Sequence, residues 1–253
     1  MHEASPPVNA RILAAGDAAL VVEFGDTIAP ELVARVAAFE RAVDAARRRG
    51  ELAGVIETVP TFRSLAVLYD PLVTGRAALD AALLALLGDA LPQATAAPRH
   101  WKLPACYGGD FGADLDRVAA ATGRPAEEVV QLHAGSNYTV YMLGFMPGFP
   151  FMGDLPEVLA LPRRTEPRLR VPAGSVAIAG RLTAIYPWQS PGGWHLLGRC
   201  PVPLFDAARA SPVLLAPGDR VRFEPVTTAR HAEIEAALRE GRMSPADFCE
   251  GSR

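Results

Sequence analysis

Five arginines crowd one stretch of the chain: Arg163, Arg164, Arg168, Arg170 and Arg181. Guanidinium groups grip carboxylates and phosphates in bidentate fashion and stay charged in any pocket. Pro162, Pro167 and Pro172 stiffen the loop that carries them, so less entropy is lost when it grips an anion. The same residues also suit a solvated basic loop, and so wide a spread cannot all face one site. A second segment, Tyr186 to His195, reads YPWQSPGGWH. Consecutive N–H groups around Gly192-Gly193 can form an anion-binding concavity, with hydroxyl donors at Tyr186 and Ser190. The competing reading is a hairpin turn anchored by Trp194. A third segment, Gly144 to Phe151, interleaves glycine and proline with three phenylalanines. It either walls a pocket or packs its rings into the core as a tight turn. His133, just before that loop, fits a general base or a helix-terminal histidine facing the dipole. His195 is similarly ambiguous, while His2, His100 and His231 read as surface residues.

Several chemistries are excluded. No G-x-x-x-x-G-K-[ST] phosphate loop occurs, nor a G-x-S-x-G nucleophile elbow. No His/Cys grouping has metal spacing. Cys106, Cys200 and Cys249 are too few and too scattered for a disulfide framework. A net charge of -3 gives no reason to expect nucleic acid. The Met1–Ala10 stretch lacks the basic and apolar parts of a secretory signal, and the apolar window Ala77–Leu87 is too short to span a bilayer. A soluble, cytoplasmic protein is the expectation.

The elements that must position these residues fall into two textures. In the first 88 residues, short apolar runs at Arg11–Ala15 and Leu20–Phe24 precede a helix over about Pro30–Arg49. Leu32, Val36, Phe39 and Val43 line one face of that helix, with acid at its start and arginines before Gly50 at its end. Runs at Gly54–Val59 and Ser64–Tyr69, then a helix from about Thr74 to Gly88, repeat the pattern. The order ββαββα predicts an antiparallel sheet with both helices on one face. Leu91–His100 reads as a linker. Beyond it, helices are expected at Ala113–Thr122 and Pro125–Ala134. Short strands follow at Tyr138–Leu143, Ser175–Ala179, Thr183–Tyr186, His195–Gly198 and Arg220–Phe223. About half of the 23 prolines fall between Gly144 and Pro217, the punctuation of a compact β-barrel. His231–Gly241 reads as a polar surface helix.

Taken together, three motifs are specific: H-x4-Y-x5-GF-x-PGF at His133–Phe149, PR-x3-PR-x-RVP-x-GSV-x-IAG at Pro162–Gly180, and YP-x2-SPGGW-x3-GR at Tyr186–Arg199. With VPTFRSLAVLYDP at Val59–Pro71 and Pro217-Gly218-Asp219, they resemble the family of 5-oxoprolinase B subunits, also called KipI or allophanate hydrolase subunit 1. Phe151 and Cys200 stand where tyrosine and threonine are frequent in that family. The resemblance implies an α/β (α+β) chain, with a two-layer N-terminal domain over residues 1–90 and a cyclophilin-like β-barrel over 91–228. Residues 229–253 would form a helical tail. It also implies an enzyme component inactive alone. A C-type subunit (KipA, or allophanate hydrolase subunit 2-like) and an A-type subunit would complete an ATP-dependent 5-oxoprolinase that opens a small lactam. The ATP would be shared with, or bound by, the partner. Urea or allophanate processing, and inhibition of a sensor histidine kinase, are the alternatives within the family.

The candidate site then comprises His133, Arg168 and Arg170 as chemical groups. Arg168 or Arg170 would hold a carboxylate or phosphate, and His133 would orient substrate or shuttle a proton. Gly192 and Gly193 would donate to an oxyanion. Phe145, Phe149 and Trp194 would form a dry wall, with Tyr138, Tyr186 and Ser190 completing the substrate-binding set.

Overall fold

The structure is a computed structural model that describes residues 10–88 and 98–251. The chain divides into two compact units, Met1–Ala97 and Pro98–Arg253. In the first, strands β1 (Arg11–Ala14), β2 (Ala19–Glu23), β3 (Val55–Pro60) and β4 (Ser64–Tyr69) form an antiparallel sheet in the order β1-β2-β4-β3. Period-two alternation puts Leu20, Val22, Leu65, Val67 and Tyr69 on one face. Helices α1 (Pro30–Arg48) and α2 (Arg76–Gly88) cover that face through Val36, Phe39, Val43, Leu79 and Leu83. Proline in the first turn and Glu31 start α1. Gly50, at φ 77°, ends it: its N–H and that of Glu51 turn back onto the last carbonyls. The proposed linker Leu91–His100 falls mostly outside the described residues, and His100 itself opens a strand.

The second unit is a barrel. Its strands are β5 (His100–Tyr107), β6 (Tyr138–Leu143), β7 (Pro150–Gly153), β9 (Ser175–Ala179), β10 (Leu182–Ile185), β12 (His195–Arg199) and β13 (Arg220–Pro225). They run in the order β12-β9-β10-β7-β6-β13-β5, and β5 pairs back onto β12 to close the ring of seven. Closure leaves only a short free stretch of sheet edge, in the middle of β5. The short β14 (Cys249–Glu250) adds to β5, and β8 (Arg168–Val171) with β11 (Ser190–Gly192) forms a separate ribbon. Helices α3 (Leu115–Thr122), α4 (Ala126–Ala134) and α5 (Thr228–Arg239) complete the unit.

The longest strand of the barrel, β5, is absent from the expected elements, because Pro104 interrupts its pattern. Proline is tolerated there: β14 pairs with the start of β5 and β12 with its end, so on that edge no strand lies opposite Pro104. The tail helix also differs from a polar surface helix, since α5 buries His231, Ile234 and Ala237. His231, expected at the surface, lies against the Phe111 ring at 4.7 Å with 3% of its surface exposed. No helix among the described residues is long and apolar enough to cross a membrane.

Candidate functional site

Strands β9, β10 and β12 are packed on both faces, and each face does something different. One parity of side chains (Val176, Ile178, Ile185, Leu197) joins the barrel core. The other (Ala177, Ala179, Ala184, Leu196) makes a floor of mostly small residues for a separate aromatic cluster. Phe149 is the hub of that cluster. Its ring meets Tyr186 edge-on at 5.0 Å and Trp194 at 6.0 Å, and lies 4.8 Å from Phe151. The β8–β11 ribbon lies over the cluster: a Cβ on Gly192 would sit 2.3 Å from the Tyr186 hydroxyl. Only glycine permits that approach.

The charged part is built around a residue that sequence reasoning missed. Asp114 precedes α3, where an acid reads as a helix cap, yet its side chain caps nothing. It is 2% exposed and accepts from Arg164 Nη1 at 2.7 Å, Arg168 Nη2 at 2.7 Å and the Leu196 N–H at 2.8 Å. Burial alone would raise its carboxyl. The hydrogen bonds from Arg168 and Leu196, with the charges of both arginines, hold it below the usual range. One carboxylate thus ties the loop before α3, the ribbon and β12 together. Asp114→Ala is expected to lower folding stability by about 3 kcal/mol, the scale for breaking a buried ion pair. Urea denaturation measures it, and a loss under about 1 kcal/mol would mean the pair is solvent-screened.

Asp114 does not use up Arg168. Its Nη1 is buried and has no partner among the described residues. Burial pushes the Tyr186 phenol up to about 12, although Arg163 and Arg168 pull it down. Tyr186 therefore stays protonated and can donate a hydrogen bond at neutral pH. Arg163 lies over the Trp194 ring at 6.0 Å. Arginine donors, a phenol and flat aromatic walls suit a small planar anion, or the phosphoryl end of a nucleotide. Nothing among these groups selects a nucleoside.

The other expected residues are placed as follows. Phe149, Tyr186, Trp194, Gly192 and Arg168 come together as described. Phe145 reaches the cluster's margin, 5.6 Å from Phe149, in a left-handed backbone conformation (φ 69°) and largely exposed. Ser190 is half-buried on β11, its hydroxyl turned to the Pro191 carbonyl. Arg170 and Arg181 are exposed. Gly193 accepts from the Arg164 N–H at 2.7 Å. Neither Gly192 nor Gly193 has positive φ, so the alternating backbone of an anion nest is not formed there. His195 donates from Nε2 to the Pro162 carbonyl at 2.9 Å.

His133 and Tyr138 are not beside the arginines at all. His133 has no exposed surface; it stacks between elements of the barrel core, 4.8 Å from Phe223 and 5.2 Å from Tyr138. The Tyr138 hydroxyl donates to the His133 carbonyl at 2.8 Å. A consistent proton chain runs through the imidazole. Tyr107 Oη donates to Nδ1 (2.8 Å), Nε2 donates to Thr183 Oγ1 (2.8 Å), and Thr183 donates to the Ala177 carbonyl (3.2 Å). Substrate cannot touch this histidine within the chain. Its reach to the site is indirect, through the backbone of Ala177 in the floor.

The family described as "Carboxyltransferase domain, subdomain C and D" matches residues 10–215. A Bacillus subtilis protein named as the B subunit of 5-oxoprolinase is 37% identical over 222 residues, covering 82% of this chain and 89% of its own. Its namesake from Escherichia coli is 41% identical over 219 residues, covering 86% and 96%. The chain belongs to this carboxyltransferase-domain family, and within it to the group of the 5-oxoprolinase B subunits. The solved structure of TTHA0988 is 40% identical, with a TM-score of 0.71, and matches 82% of this chain. This chain spans only 39% of the length of TTHA0988.

Proposed function

We propose that this chain is the B-type component of an ATP-dependent 5-oxoprolinase. With a C-type subunit it would activate 5-oxoproline, and an A-type subunit would complete the opening to glutamate. The observation that carries this reading is the near end-to-end match to two proteins named as 5-oxoprolinase B subunits. The site is chemically suited to it. 5-Oxoproline is a flat five-membered lactam bearing a carboxylate. Phe149, Trp194 and the alanine floor form a packed apolar layer beneath the arginines, with Phe145 exposed at its margin. Arg168 Nη1 offers an unused charged donor, and Tyr186 a neutral one. ATP, when bound, would supply the phosphoryl group that makes the amide oxygen a leaving group. The residues of this chain would hold the substrate, exclude water and stabilise charge developing on oxygen.

The test is ADP release by this chain mixed with its C-type partner, given 5-oxoproline, urea or no substrate. Release that requires both chains and is stimulated by 5-oxoproline supports the reading. Stimulation by urea instead would move the chain to the urea or allophanate role. No stimulation by either, from a complex shown to be assembled, would leave kinase inhibition as the reading to pursue.

A further inference from the structure

We propose that a second site, for a small oxyanion, lies further along the outer face of the barrel, where Ser175 of β9 and Arg199 of β12 stand beside the Phe111 ring. It does not rest on the function proposed above. Ser175 and Arg199 are direct partners in the β9–β12 ladder, so their side chains leave the same face side by side. Ser175 has no exposed surface, and its hydroxyl finds no partner. The Arg199 Nε is buried and also lacks one. No carboxylate among the described residues pairs with Arg199. Its guanidinium stacks instead on the Phe111 ring, at 4.7 Å. The other neighbour of Phe111 is His231, whose Nε2 is the third buried polar atom of this neighbourhood without a partner. Glu235 acts on His231 from the next turn of α5 but makes no ion pair with Arg199.

Native interiors leave few buried polar atoms unpaired. The Ser175 hydroxyl and the Arg199 Nε, side by side on one face, with the His231 Nε2 in the same aromatic neighbourhood, call for a partner that accepts hydrogen bonds and brings negative charge. An oxyanion does both, and water does only the first. Glycine at 174 lets the backbone close on this pair: a Cβ there would lie 3.1 Å from Arg199 Cγ and 2.4 Å from the Cys200 carbonyl. The stacking on Phe111 holds the guanidinium plane, a geometry suited to bidentate capture of a phosphate or carboxylate.

Calorimetric titration of the full chain at constant ionic strength tests this, with inorganic phosphate in one arm and acetate in the other. Saturable binding of at least one is expected. Arg199→Gln should weaken it by about tenfold or more, the cost of losing a charged donor. Ser175→Ala should weaken it several-fold, and Arg168→Gln should leave it in place. The arm that saturates tells phosphoryl from carboxyl ligands. Absence of saturation in both arms overturns the proposal and assigns these polar atoms to water. So does binding that Arg168→Gln abolishes and Arg199→Gln spares. Should Arg199→Gln fail to fold, judged by circular dichroism, Ser175→Ala carries the test, because it removes one hydroxyl and no charge.

Discussion

Arg168→Ala is expected to lower turnover of the assembled complex by about 10²-fold or more, as loss of an oxyanion donor does. The argument rests on how this guanidinium is divided. Nη2 is fixed at 2.7 Å on Asp114, which orients the planar fork, and Nη1 is left buried without a partner. A donor held in place before substrate arrives loses little on binding and meets transition-state charge without rearrangement. Arg168→Lys is expected to recover little, because an ammonium cannot bond Asp114 and substrate in the same fixed plane. Steady-state kinetics of the complex decide it. Turnover unchanged in a variant with normal circular dichroism and normal partner binding would remove Arg168 from the chemistry.

The second large effect is on folding. His133→Ala is expected to cost about 5 kcal/mol, combining a core cavity with two hydroxyls that each lose their bond to the imidazole, one of which keeps the Ala177 carbonyl. Those hydroxyls are Tyr107 Oη and Thr183 Oγ1. A pH signature accompanies it. Burial lowers the His133 pKa from 6.5 to about 3, so the imidazole is neutral in the folded chain. Below about pH 6.5 the unfolded chain takes up a proton that the folded chain refuses until about pH 3. Stability therefore falls with pH across that window, by up to about 1.4 kcal/mol per pH unit. His133→Phe has no such proton. The difference between its urea-denaturation profile and that of the wild type, from pH 7 to 4, isolates the histidine from the carboxylates. Parallel profiles would mean that water reaches the imidazole.

How far the sequence can be read depends on the kind of signal. In the first unit, stripes such as Val36-Phe39-Val43 and alternations such as Leu65-Val67-Tyr69 report burial directly, and the ββαββα order stands in the structure. In the barrel, β6 and β9 are legible for the same reason. Strand β5 is hidden by Pro104, and β8 and β11 by their brevity and by the prolines around them. Their pairing is a tertiary fact that no local pattern states. The site shows the same limit. Aromatic rings and arginines advertise their chemistry by type, so Phe149, Trp194, Tyr186 and Arg168 can be named in advance. Asp114 and His133 cannot be placed. Asp114 mimics a helix cap, and His133 mimics a helix-terminal cation although it faces the core. His231 reads as a surface residue because a polar side chain among polar neighbours gives no sign of the Phe111 ring that covers it.

The two-faced strands β9, β10 and β12 restrict heritable change on both parities. Ala177, Ala179 and Ala184 are buried beneath the aromatic rings, and Val176, Ile178 and Ile185 are buried in the barrel, so an added methylene on either parity overpacks a filled core. Neighbouring codons thus answer to one pressure, foldability, through two different sets of neighbours. Change that spares the scaffold is confined to the exposed margin of the cluster, at residues such as Phe145 and Arg163.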